Sequence, residues 1–157
     1  MTKHILSLTM VFAVIFATGF TIIQKSKDMC NPVEMKKKTE PMMKPFTYDS
    51  AKLTRINLTK KPMMQETEVP LSLFGAYRLV FNTMAMPKKI GINVYNKDKS
   101  SSKRTLLFSN KDSLETNTDL IYNPEKHTRK VYVDYDIPAD SLNLKIKGCV
   151  YFMLGYK

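Results

Sequence analysis

Val131-Tyr132-Val133-Asp134-Tyr135-Asp136-Ile137 is the stretch on which the fold turns. In an extended chain Val131, Val133, Tyr135 and Ile137 fall on one side, and Tyr132, Asp134 and Asp136 on the other. The period is 2 rather than 3.6, and β-branched and aromatic residues carry it. Downstream, Leu142, Leu144 and Ile146 alternate with Asn143, Lys145 and Lys147 in the same manner. Pro138-Ala139-Asp140-Ser141 between them has turn composition. A hairpin with Ile137 opposite Leu142 sets Tyr135 on Leu144 and Val133 on Ile146, and places Asp134 opposite Lys145. One register satisfies both faces, so this hairpin is the expectation.

Working outward, Tyr77 to Phe81 and Ile90 to Val94 alternate as well, and Pro87-Lys88-Lys89 between them predicts a second hairpin. Leu53 to Leu58, Thr105 to Phe108 and Asp119 to Tyr122 are shorter strand candidates. Lys97 to Lys103, with Ser100-Ser101-Ser102, reads as an exposed loop tip, and Asn110 to Thr118 as a loop or short helical turn. Gly148 to Tyr156 is apolar on both faces, so this strand is central or has something lying across its outer side. The sum is about seven or eight short strands in roughly 110 residues. That spacing predicts an all-β chain, a single antiparallel β-sandwich of immunoglobulin-like or jelly-roll size over residues 46–157.

The N-terminus reads differently. Met1-Thr2-Lys3-His4 is a short basic start, Ile5 to Phe16 is apolar apart from Ser7 and Thr9, and Ala17-Thr18-Gly19 supplies small residues. This three-part layout predicts a signal peptide over residues 1–19 and export to the periplasm, the cell surface or the medium. An uncleaved membrane anchor is the rival, since Ile5 to Ile23 is long enough to span about 30 Å of hydrocarbon. Lys25, Lys27 and Lys36-Lys37-Lys38 follow the apolar run, and the positive-inside rule opposes an exported form anchored that way. A lipoprotein at Cys30 is excluded, because Lys27-Asp28-Met29 stands where small and apolar residues are needed. Residues 20–45, with Pro32, Pro41, Pro45 and the lysine triplet, read as an extended basic arm, since Gln24 to Pro45 lacks any apolar period.

Export reinterprets the cysteines. Cys30 and Cys149 are the only two, and in an oxidising compartment an even count predicts a disulfide. Continuing the hairpin register, Val150, Phe152 and Leu154 face the core, while Cys149, Tyr151 and Met153 face outward. That outer face is too apolar for water, and Cys30 lies in the segment free to reach it. A Cys30–Cys149 bridge is therefore expected to lay the arm across the last strand.

Lys+Arg 25 against Asp+Glu 14 gives a net charge of +11, or +10 once Lys3 is removed with the signal. Such charge favours anionic surroundings. Export argues against nucleic acid and leaves a protein or an anionic envelope polymer as partner, with a membrane touched only through an uncleaved N-terminus. The lysines are dispersed, which is also what a solvated surface requires.

Catalytic chemistry has few candidates. His127 is the only histidine outside the signal, and no Gly-x-Ser-x-Gly, His-Glu-x-x-His or phosphate-binding glycine loop is present. Asp134 and Asp136 share a strand face, but the predicted hairpin gives Asp134 a lysine partner. No catalytic residue, metal ligand or cofactor is assigned. The 11 methionines include the pairs Met42-Met43, Met63-Met64 and Met84-x-Met86. Thioethers suit Cu(I), yet without accompanying histidine or cysteine the pairs read as packing or contact residues. Tyr95, Phe108 and Tyr122 offer ring faces for a sugar, weakly, since the chain has no tryptophan. The expected function is an exported non-enzymatic module that binds a partner, protein in the first place, through its arm and sandwich surface. A carbohydrate- or other ligand-binding sandwich is the alternative.

Overall fold

The structure, a computed structural model, describes residues 29–72, 75–111, 119–125, 127–140 and 146–157. The predicted signal, Leu142 and Leu144 of the predicted hairpin, and most of the loop at 110–118 lie outside these residues.

Helix α1 (Pro32–Thr39) and a 3₁₀ turn (Glu40–Met43) precede eight strands. These are β1 (Thr47–Asn57), β2 (Met63–Pro70), β3 (Tyr77–Asn82), β4 (Gly91–Tyr95), β5 (Leu106–Ser109), β6 (Asp119–Tyr122), β7 (Lys130–Ile137) and β8 (Lys147–Tyr156). They form two four-stranded antiparallel sheets, the first ordered β1-β8-β3-β6 and the second β2-β7-β4-β5. First pairs with last, second with seventh, third with sixth and fourth with fifth. Nested pairing of this kind, folded over into two facing sheets, is the jelly roll.

Strand faces follow the sequence alternation. Leu79, Phe81, Ile92, Val94, Val131, Val133, Val150, Phe152 and Leu154 meet between the sheets. Phe81 and Phe152 pack with ring centroids 5.3 Å apart. Tyr135 is enclosed in the same core, and burial pushes its phenol well above the usual range.

Both predicted hairpins are replaced by longer-range pairing. β7 lies between β2 and β4, with Tyr135 opposite Gln65 on one side and Ile92 on the other. Neither edge of β7 is left for residues 142–146; the Ile146 carbonyl accepts instead from the Leu58 amide at 2.9 Å. Likewise β3 lies in the first sheet and β4 in the second, so Pro87-Lys88-Lys89 crosses between layers instead of turning within one.

β8 is buried along both faces. Its outer residues Cys149, Tyr151 and Met153 join Cys30, Met35, Met43, Val80 and Ala85 in a second apolar cluster. The expected bridge is formed: Cys30 and Cys149 are disulfide-bonded, with Cα atoms 5.8 Å apart. Residues 32–43 are helical rather than extended. Asn31 caps α1 by accepting from the Val33 amide at 2.9 Å, Pro32 starts it, Glu34 lies in the first turn and Lys36–Lys38 in the last. Each feature favours a helix at that end. One short stripe, Met35 and Thr39, is buried on the sheet. Met43 then packs over Gly155, where a Cβ would collide with the Met43 Sδ and come within 2.9 Å of the Thr47 carbonyl. Arg78 on β3 holds the end of the arm, donating to the carbonyls of Met42 at 3.0 Å and Lys44 at 2.7 Å.

Candidate functional site

The outer face of the second sheet carries the polar chemistry of the molecule. Because Ile92 and Val94 face the core, Gly91, Asn93 and Tyr95 of β4 face out, as do Tyr132, Asp134 and Asp136 of β7. Strand register aligns them in rows: Met64, Asp136 and Gly91; then Glu66, Asp134, Asn93 and Ser109; then Glu68, Tyr132, Tyr95 and Leu106.

The second row is partly roofed by the β4–β5 loop. Arg104 donates to Asp134 Oδ2 at 2.9 Å and stands 3.7 Å from Glu66 Oε2, and its guanidinium lies 3.4 Å from the Tyr95 ring centroid. The Lys99 amide donates to Glu66 Oε2 at 2.7 Å, closing the loop over the face. Asp134, expected on a solvated face opposite Lys145, is only 2% exposed, and Arg104 is its partner. An acidic side chain this buried persists because a cation accompanies it.

The first row stays open. Asp136 reaches across β4 and accepts from Asn93 Nδ2 at 2.7 Å; Asn93 Oδ1 in turn accepts from Ser109 Oγ at 2.6 Å. Gly91 is what allows this, since a Cβ there would lie 2.9 Å from Asp136 Cβ. Two confluent depressions, of about 520 and 630 Å³, meet at Lys89, Gly91 and Asp136. One runs toward Met63, Met64 and Pro138, the other along β4 and β5 to Tyr95, Leu106 and Lys111. Together they form an angled trough with a hydrogen-bonding floor and apolar walls.

Of the three rings singled out from sequence, Tyr95 lines this trough. Phe108 and Tyr122 stack on each other instead, 5.4 Å between centroids, and pack against the inter-sheet core. Burial, with a smaller contribution from Glu125, raises the Tyr122 phenol above its usual range. His127 occupies a turn before β7 with φ of 68°. Asp136 lies near the far end of that strand, about 20 Å away along the chain, so the two do not converge. Met63 and Met64 wall the trough, while Met29, Met35 and Met84 line a cleft of about 200 Å³ beside α1. Among the described residues no group of three or more His, Cys, Asp or Glu side chains is placed to hold a metal ion.

Sequence reasoning passed over Arg104, Asn93, Ser109 and Gly91. Asn93 and Gly91 were legible as the outward side of β4; nothing in the run Ser100–Arg104 marks Arg104 as the residue that turns inward.

No known protein-family profile matches this chain, and no curated protein shows significant sequence similarity to it. What fold and face define is a jelly-roll sandwich with a disulfide-clipped N-terminal arm and an open polar trough.

Proposed function

We propose that this protein is an exported, non-enzymatic jelly-roll module that binds an envelope or extracellular partner, protein in the first place. The observation that carries the reading is the disulfide. Cys149 is wholly buried under the arm, and the bridge joins residues 119 apart in sequence. A structural disulfide of that kind belongs to an oxidising compartment, which agrees with the signal-like N-terminus. No helix among the described residues is long and apolar enough to cross a membrane.

A binding role is supported by how the reactive groups are employed. Asp134 is tied to Arg104, Asp136 to Asn93, and His127 is remote from Asp136. The arm offers exposed Lys37 and Lys38, with Lys36 half-buried over the Tyr48 ring, in a helix fixed at both ends, a rigid basic surface for an acidic partner.

The test is site-specific photocrosslinking from Lys37 in the native envelope, with mass spectrometry of the adducts. One reproducible acidic protein partner is expected. Finding no adduct there, or a chemical turnover by the purified protein that Asp136→Asn abolishes, would refute the reading. A ligand-binding reading has its own support in the trough at Tyr95.

A further inference from the structure

We infer that Asn57 is a glycosylation site and carries an oligosaccharide linked through its side-chain amide. The inference rests on the export proposed above, because the donor of such a sugar chain is met on the exported side of a membrane. It concerns the first sheet and leaves the trough on the second untouched.

Asn57-Leu58-Thr59 is the one place in the sequence where asparagine is followed two residues later by serine or threonine with no proline between. That spacing is the acceptor signal for asparagine-linked sugar in a secreted chain, and it requires a surface position. Ile56 and Leu58 are buried in the inter-sheet core, so Asn57, between them at the end of β1, faces outward. The Leu58 amide donates to the Ile146 carbonyl at 2.9 Å and fixes the chain there. Asn57 and Thr59 are both exposed. Opposite Asn57 on β8 stands Lys147, and Arg55 is its neighbour on the same face of β1; both are exposed. A first sugar ring therefore extends into water without displacing apolar packing.

Hydrogen bonding sets Asn57 apart from the other asparagines. Asn31, Asn82, Asn93, Asn96, Asn110 and Asn123 each engage the side-chain amide in a hydrogen bond. Among the described residues only the Asn57 carboxamide makes none, so attaching a sugar there breaks no contact. The asparagine in the acceptor motif is thus the one whose side chain the fold does not use.

The transfer takes a polyprenyl-diphosphate-linked oligosaccharide and its transferase. Asn57 Nδ2 bonds to C1 of the first sugar as the bond from C1 to the diphosphate oxygen breaks. The diphosphate leaves with that electron pair, and one amide proton passes to a base of the transferase. The Thr59 hydroxyl is the group the enzyme reads; in the folded protein it donates to the Lys61 carbonyl at 2.7 Å, a local bond that serine can also make. β1 is an edge of the first sheet. A bulky sugar at its end obstructs pairing of that edge with a strand of another chain.

The test uses protein from its native cells, digested and treated with a peptide-N-glycosidase in heavy-oxygen water, with mass spectrometry of the peptides. Asn57 is expected to be converted to aspartate with uptake of one heavy oxygen, and the intact chain to lose the mass of one oligosaccharide. Asn57→Gln and Thr59→Ala, expressed in the same cells, should each abolish the added mass, whereas Thr59→Ser should retain it. Added mass that persists in Thr59→Ala would overturn the proposal. So would an unmodified Asn57 in a chain that begins near Phe20 with its disulfide formed, and export would then stand. An unmodified Asn57 in a chain that begins at Met1 with both thiols free would overturn this inference and the export reading together.

Discussion

Replacing Cys30 and Cys149 together with alanine should separate two consequences of the bridge. The first acts on the unfolded chain. The disulfide closes a loop between residues 119 apart, and the chain-entropy relation for that length gives about 16 cal/mol/K, or about 5 kcal/mol at 25 °C. Deleting the fully buried Cys149 sulfur adds on the order of 1 kcal/mol for the space left behind. With a urea m-value of about 1.5 kcal/mol/M for a domain of this size, the unfolding midpoint should fall by roughly 4 M. The second consequence acts on the folded state. α1 has 8 residues, too few to stand as a helix on its own. Without the clip it depends on Met35, Met43 and the Arg78 hydrogen bonds. Trypsin should then cut at Lys36–Lys38 in the variant well before the sandwich is degraded, while the oxidised wild type resists. Urea unfolding followed by fluorescence, and timed proteolysis read by mass spectrometry, measure the two effects independently. A midpoint that moves by less than 1 M, with arm cleavage equal in both proteins, would refute the reasoning.

Other changes test the remaining contacts. Gly155→Ala should cost about 1–3 kcal/mol, because its Cβ meets Met43 and the Thr47 carbonyl at 2.9 Å; adding Met43→Ala should recover only part of this, since the carbonyl cannot move aside. Arg104→Met leaves Asp134 buried without its cation and should destabilise by about 3 kcal/mol in thermal unfolding, whereas Arg104→Met with Asp134→Leu should be milder. Desolvation raises the Asp119 carboxyl, with Lys38 opposing, and Asp119 Oδ1 is buried without a hydrogen-bond partner. A raised folded-state value means stability is greatest below the ordinary carboxylate range and is lost as pH rises through the folded value. Asp119→Asn should therefore be more stable than wild type at pH 7 and lose that advantage in acid, as read from unfolding curves across pH.

For the strands recognised from sequence, the inward face was legible from local alternation. The parity of Cys149 in β8 predicted both the bridge and the covering of that strand, because a residue's side of a sheet is local information. Strand partners were not legible. Ile137 and Leu142 agree on both faces of a hairpin, yet the same alternation serves equally well against β2 and β4, and nested pairing places every pair of sequence neighbours except β4 and β5 in different sheets. β2 went unseen because Met63–Pro70 buries only Val69 and carries Glu66, Glu68 and Pro70, as an edge strand can. The helix in the arm was signalled after all, by Asn31-Pro32, Glu34 and the trailing lysines; capping chemistry outweighed the missing apolar period once the disulfide held Met35 against the sheet. At the site, Tyr95 was read as a surface ring and lines the trough, but the network of Asp136, Asn93 and Ser109 joins three strands remote in sequence, and no single segment shows it.

The most direct measurement is the thiol state and mass of the protein taken from its native cells. Cultures are quenched in acid, and the denatured protein is alkylated without reductant and weighed intact. The expected result is a chain beginning near Phe20 that carries no alkyl group, and that takes up two after reduction. A chain that begins at Met1 and is alkylated at both Cys30 and Cys149 before reduction would contradict export and the clipped arm together.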